Sequence, residues 1–290
     1  MKTTLAAGAA AVFAPAEFGQ AAGTKLSWKH FPAGPNGFFR APVLLSGLTE
    51  ALLIDGGFGY PDGRALADAI KATGKKLTAI YVSQSDPDYY FSLKPIREAF
   101  PGVKVIAASA TVEAIKGSVE KKLAVWGPQL KENGPQALSD VVLPEAFDGP
   151  SLTVDGETVD IVAADGLANR RYLWVPSLKA VFGGVMIFSG VHAWTADTPT
   201  KQQRAAWIAN LDKIAARKPA VVVAGGRMGE DACGSRSRPR RCPVCRTICA
   251  ASRATIARCQ HARERPVRSS SSPPHASPRT RGRRDCVDSR

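Results

Sequence analysis

Short apolar runs separated by turn residues open the chain. Leu26 to His30, Ala41 to Leu45 and Ala51 to Ile54 are rich in Val, Ile, Leu and Trp and predict strands. Pro32 to Gly37 reads as a loop, and Gly47 marks a hairpin. Asp55-Gly56-Gly57 follows the third run, where the two glycines permit a tight turn. The period then changes. Asp62-Gly63 opens a segment from Arg64 to Thr73 in which Leu66, Ala69 and Ile70 share one helical face. The apolar run Leu77 to Val82 predicts a strand, Leu93 to Phe100 a helix, and Val103 to Ala107 another strand. Ala110 to Trp126 predicts a helix, with Val112, Ile115, Val119 and Leu123 at helical spacing.

Gly127 to Ser139 carries Pro and Gly and reads as a connection or lid-like insertion. Beyond it, residues 141–143, 151–154, 158–163 and 171–175 alternate as strands do, with turns at Asp148-Gly149-Pro150, Asp155-Gly156 and Pro176-Ser177. Lys179 to Ile187 is a strand region broken by Gly183-Gly184. Thr198 to Ala216 predicts a helix with Thr198 as its cap and Pro199 in its first turn, and Val221 to Ala224 a last buried strand. The order is strands, alternating helix and strand, strands again, then helix and strand. A simple doubly wound array does not give that order. It fits an α/β (α+β) architecture in which two β-halves pack face to face with helices outside, an αββα sandwich.

Composition divides the chain of 290 residues near Gly225. All 6 Cys and 16 of the 39 Lys and Arg lie beyond that point, and all 16 are Arg. With 16 Arg against 5 acidic residues, the tail carries +11 of the total +14. The basic character therefore belongs to the tail and not to the body. Residues 226–290 contain no Leu, Phe, Tyr, Trp or Lys, so they cannot bury enough apolar surface to offset ordering entropy and are expected to be disordered. Such an Arg- and Cys-rich run reads as the product of a shifted reading frame. The alternative is a genuine basic arm for nucleic acid or another acidic surface. Cys242-Pro243-Val244-Cys245 superficially resembles a zinc knuckle, but one CxxC without a matched partner does not make one.

At the other end, Lys2, the Ala-rich run Leu5 to Ala16 and the small residues Ala14-Pro15-Ala16 read as an export leader over residues 1–22. An unstructured extension is the alternative. A Cys-free body tolerates an oxidising compartment, so a periplasmic or secreted location is expected, and otherwise a cytoplasmic one. No stretch is long and apolar enough to span a membrane. One domain is expected over residues 23–225.

The segment Ser83-Gln84-Ser85-Asp86-Pro87-Asp88-Tyr89-Tyr90-Phe91 lies between a strand and a helix, where α/β enzymes build metal or phosphate sites. It resembles the metal-binding loop of the metallo-β-lactamase superfamily, His-x-His-x-Asp-His. Aligned on Asp88, that pattern falls on Gln84, Asp86, Asp88 and Tyr89. Leu53-Ile54-Asp55-Gly56-Gly57, the run Trp174 to Gly184, and Val221 to Gly225 extend the resemblance over residues 26–225. It implies the αββα fold and descent from hydrolases of esters, lactams, thioesters or phosphoesters. It also implies where further ligands belong, and Leu167, Val185 and Gly226 stand there.

Such a site holds one or two Zn²⁺, which lower the pKa of bound water toward about 7. With no histidine at any ligand position, what remains is Asp86, Asp88 and Gln84 as metal ligands. They are oxygen donors suited to hard cations and make at best a weak site for Zn²⁺, Mn²⁺ or Mg²⁺. Asp86 and Asp88 are the candidate catalytic groups, and a solvated turn capping the next helix is their alternative reading. Tyr89, Gln84, Tyr90 and His192 are candidate contacts to a small-molecule substrate or ligand, while aromatic core packing is the alternative for the tyrosines. Asp55 either supports the site from behind or pins the Gly56-Gly57 turn. Arg170-Arg171 is either an anion clamp or a solvated pair. Two functions follow: an unconventional or inactive metal-dependent hydrolase, or a non-catalytic binding protein using the remnant pocket.

Overall fold

The structure is a computed structural model that describes residues 19–20, 25–189, 191 and 193–227. His192, all six cysteines, and most of the leader and tail segments lie outside the described residues. Four strands open the fold: β1 (Gly19–Gln20), β2 (Ser27–His30), β3 (Val43–Ser46) and β4 (Glu50–Ile54), each antiparallel to the one before. Helix α1 (Tyr60–Ala72) leads to β5 (Lys76–Tyr81), and α2 (Leu93–Ala99) leads to β6 (Lys104–Ala107). Helices α3 (Ser109–Lys116) and α4 (Val119–Leu130) lead to β7 (Glu145–Ala146). The three later strands pair in parallel, and all seven lie in chain order in one sheet.

A second sheet follows, built from β8 (Ser151–Val154), β9 (Glu157–Ala163), β10 (Arg171–Val175) and β11 (Ala180–Phe182). After β12 (Phe188–Ser189) and α5 (Lys201–Ala216), β13 (Val221–Val222) returns to its edge, giving the order β13-β11-β10-β9-β8. A last strand, β14 (Gly226–Arg227), pairs in parallel with β12. Gly226 and Arg227 therefore belong to the fold although the composition shift begins there. The same holds for Gly19 and Gln20, which pair with β2 inside the segment read as a leader.

Strand alternation divides the core in two. Val43, Leu45, Leu52, Ile54, Ala79 and Tyr81 face Leu173, Val175, Phe182 and Val223 between the sheets. Their neighbours Leu44, Leu53, Ile80 and Val82 turn outward to Leu66 and Ile70 of α1 and Ile96 of α2. In the second sheet, Tyr172 and Trp174 turn outward to Trp207, Leu211 and Ile214 of α5. This is the expected αββα sandwich.

Several local expectations are corrected. The helix expected over Ala110 to Trp126 is two helices: Gly117 ends α3, and the Ser118 hydroxyl donates to the Ala114 carbonyl at 2.6 Å, so the axis breaks at a Gly-Ser pair. Helix α4 continues through Gly127-Pro128 into the segment read as a connection. No strand forms at 141–143; pairing begins after Pro144, which has no N–H to give a ladder. The cap of α5 is Thr200 and not Thr198. Thr200 Oγ1 accepts from Gln203 N and Gln203 Oε1 accepts from Thr200 N, both at 3.1 Å. That reciprocal box needs a Glu or Gln three residues on, and Thr198 has Lys201 there.

Far from the Ser83–Phe91 loop, the two halves are clasped. Asp155 accepts from the backbone N–H groups of Thr49 and Glu50 and from the Thr49 hydroxyl, while Glu50 accepts from Asp155 N at 2.8 Å.

Candidate functional site

The site forms where β4 and β5 end beside the turn after β11. Asp55 leaves β4 with φ +63°, a left-handed conformation that Asp tolerates, and this turns its carboxylate back toward β5. It accepts from Ser83 N at 2.7 Å and from Ser83 Oγ at 2.8 Å. Ser83 Oγ in turn accepts from Gly184 N at 2.8 Å, which bridges the two sheets. Gly184 has φ +72°, and a Cβ there would meet the Arg171 carbonyl at 2.2 Å, so no other residue fits. Burial pushes the Asp55 carboxyl up to about 6, against the Ser83 and Gly184 hydrogen bonds and the Arg40 charge that pull it down.

The expected loop forms a 3₁₀ turn at Pro87–Tyr89. Asp86, which precedes the turn, has extended backbone and makes no side-chain cap bond, and the helix that follows, α2, has Ser92 at its N-cap rather than either aspartate. Asp86 faces Lys122 of α4 instead, at 3.2 Å, and Lys122 also donates to the Ser85 carbonyl at 2.7 Å. Asp88 is 13% exposed and lies 2.9 Å from Arg40 Nε. The Nε–H is not aimed along that line, so the contact is an ion pair rather than a hydrogen bond. Arg40 Nη1 donates to the Tyr89 hydroxyl, and its guanidinium carbon stands 4.9 Å from the Tyr89 ring centroid and 5.8 Å from that of Phe188. Burial pushes the Asp88 carboxyl up to about 6, with Arg40 opposing and Asp86 adding to the rise. Burial likewise raises the Tyr89 hydroxyl well above its ordinary range.

Gln84 is fully buried and donates from Nε2 to Asp86 at 3.3 Å and to Asp197 at 3.2 Å. Its Oε1 accepts from Ser85 N at 2.5 Å. Asp197 binds Arg170 Nη2 through both oxygens at 2.8 Å. Arg170 is buried over the Trp207 ring at 4.0 Å, and Asn169 donates to Ser85 Oγ at 2.5 Å. Of the residues expected from sequence, Gln84 and Asp86 join this cluster, Asp88 and Tyr89 meet Arg40, and Asp55 is held by Ser83 and Gly184. Tyr90 lies in the apolar core with its ring at 90° to Phe91. Arg170 is buried and paired rather than a solvated strand-end charge.

Arg40, Lys122 and Asp197 were not singled out from sequence. A signal existed for Arg40, the one charge in Phe38-Phe39-Arg40-Ala41-Pro42-Val43, because a charge in an apolar run needs a buried partner. Lys122 and Asp197 carried none.

The donor set does not fit a zinc pair. Leu167 and Val185 are buried and apolar where the resemblance asks for ligands, and Gly226 offers no side chain. Among the described residues, no group of three or more His, Cys, Asp or Glu side chains is placed to hold a metal ion. Asp86, Asp88 and Asp197 each already carry a protein cation.

The fold itself is that of solved metallo-β-lactamases. A metallo-β-lactamase from Pontibacter korlensis matches with a TM-score of 0.56 at 14% identity, over 83% of this chain and 99% of that one. The DIM-1 metallo-β-lactamase, solved after exposure to ceftazidime, matches with 0.54 at 14% identity, over 84% and 97%. A metallo-β-lactamase family protein from Thermus thermophilus matches with 0.57 at 17% identity, over 82% and 81%. No protein-family model matches the sequence, and no curated protein matches it. Among the described residues, no helix is long and apolar enough to cross a membrane.

Proposed function

We propose that the chain is a member of the metallo-β-lactamase superfamily whose site has given up zinc chemistry and binds a small molecule without a metal. The observation that supports this reading is the pairing of three site carboxylates, Asp55 apart, with cations from other elements: Arg40 on Asp88, Lys122 on Asp86, Arg170 on Asp197. These cations supply the positive charge that a metal supplies to the carboxylates of a hydrolase. A divalent ion entering the cluster would have to displace them. On this reading the protein does not hydrolyse β-lactams, and Gln84 and Tyr89 serve as binding groups. Export to the periplasm or medium is the location we propose.

A second reading rests on Asp88. Its carboxyl, held up to about 6 in a nearly closed site, is suited to take a proton from water near neutral pH, which would make the protein an unconventional hydrolase.

Metal content separates these readings from a hidden metal enzyme. The full chain, with cysteines alkylated, is incubated with Zn²⁺, Mn²⁺ and Mg²⁺, desalted and measured by mass spectrometry beside an Asp86→Ala/Asp88→Ala variant. Equal, near-zero metal in both is expected. Near-stoichiometric metal that disappears in the variant would overturn the proposal.

A further inference from the structure

Two buried donors converge on one carboxylate at the edge of the site. Arg170 is 3% exposed, with its guanidinium fixed over Trp207. Gln84 is 1% exposed. Both donate to Asp197, whose side chain is 29% exposed. An arginine and a carboxylate that match fully share two parallel N–H···O bonds from two nitrogens. Asp197 places both oxygens on Nη2 and leaves Nη1 buried without a hydrogen-bond partner. A buried donor left unmatched is costly, so the present contact uses only part of what Arg170 offers.

The backbone around Asp197 is held without help from its carboxylate. Thr198 N and Oγ1 both donate to the Thr195 carbonyl, at 3.1 and 3.2 Å. Arg204 Nη1 takes the carbonyls of Thr198 and Pro199, at 2.9 and 2.7 Å. The Asp197 side chain can therefore swing toward solvent while its segment stays in place. An incoming oxyanion would exchange one negative group for another, so the buried Arg170 charge would not be left alone.

We propose that Arg170 and Gln84 form a seat for the oxyanion of a ligand, a carboxylate or a phosphate, and that Asp197 fills this seat until the ligand displaces it. The proposal rests on the metal-free binding role argued above. It names the ligand chemistry of that role: a small molecule bearing an acidic group that spans both terminal nitrogens of Arg170.

The test is titration calorimetry of the full chain with inorganic phosphate and with acetate, in EDTA and at matched chloride. Asp197→Asn removes the competing charge and is expected to tighten binding of one of the two anions about tenfold, the worth of one charge-assisted hydrogen bond. The preferred anion identifies the ligand's acidic group. An Arg170→Gln/Asp197→Asn variant, which leaves no uncompensated charge, is expected to bind neither. Equal affinity in wild type and Asp197→Asn, or undiminished binding by the double variant, would overturn the seat. If Asp197→Asn unfolds in plain buffer, recovery of its fold in phosphate or acetate supports the proposal; failure to recover while the double variant folds overturns it. Binding abolished by EDTA and restored by Zn²⁺ would instead overturn the metal-free reading beneath it.

Discussion

Arg40 Nε lies 2.9 Å from Asp88 Oδ2, which brings a guanidinium from the β2–β3 connection onto a carboxylate of the Ser83–Phe91 loop. The contact joins two segments far apart in sequence. Arg40 also meets β14, through an antiparallel bridge to Gly226, while Ala41 N donates to the Gly225 carbonyl at 3.2 Å. Arg40 thus ties three segments together, its side chain holding the site loop and its backbone the last strand.

Removing Arg40 should expose the cost of the charge it covers. Arg40→Met leaves Asp88 buried and unpaired and is expected to cost about 3–5 kcal/mol at pH 7. The loss should shrink toward pH 5 as Asp88 takes up a proton. Arg40→Met/Asp88→Leu should recover most of it. Urea denaturation reads all three; a single-variant loss below about 1 kcal/mol, the range of an exposed pair, would contradict the role given to this contact.

Asp55 and Asp88 give the fold an unusual pH response. Both carboxyls are raised from 3.8 to about 6 in the folded protein. A raised carboxyl contributes stability that is full below its unfolded pKa and is lost as pH rises through its folded pKa. Each should therefore add on the order of 2–3 kcal/mol as pH falls from 7 toward 4. The urea midpoint is expected to rise between pH 7 and pH 5 in the wild type, and to rise less in Asp55→Asn. A midpoint that falls over this range, or identical slopes for both proteins, would refute the assignment.

Asp155 behaves in the opposite sense. Its carboxyl is lowered to about 2 by hydrogen bonds from the Thr49 hydroxyl and backbone N–H. The clasp between the hairpin after β3 and the β8–β9 turn should hold above the ordinary carboxylate range and open as pH falls through about 2. Asp155→Ala is expected to lower the melting temperature at pH 7 and to lower it much less at pH 2, where the carboxyl is about half protonated. An equal difference at both pH values would show that the carboxylate is not what closes the clasp.

The cap of α5 gives a local comparison. Thr200→Ala removes the acceptor for Gln203 N and is expected to cost about 1 kcal/mol. Thr198→Val, which keeps the buried methyl and loses only the hydroxyl bond to the Thr195 carbonyl, should cost less. Chemical denaturation of the two variants side by side decides it, and the reverse order would restore Thr198 as the cap.

Much of the fold was legible because burial on two faces leaves a period in the sequence. Val43 to Leu45 and Leu77 to Val82 read as strands since both their faces are covered, by the other sheet and by helices. The break at Gly117-Ser118 was not legible, because Val112, Ile115, Val119 and Leu123 keep helical spacing straight through it. The register of the caps was missed for a similar reason: Thr198-Pro199 and Thr200 both satisfy the local preference, and only the reciprocal bond to Gln203 separates them.

At the site, residue identity alone decided which donor atoms are present. Side chains at Gln84, Tyr89, Leu167 and Val185 cannot supply the nitrogen ligands of a zinc pair in any packing, because ligand chemistry is a property of the residue. What the remaining carboxylates do depended on how the chain folds. Arg40, Lys122 and Arg170 come from separate elements at sequence distances that no local pattern links to Asp88, Asp86 and Asp197. A buried charge must find its counter-charge somewhere. Chain topology chooses the partner, and here it chose a protein cation for each.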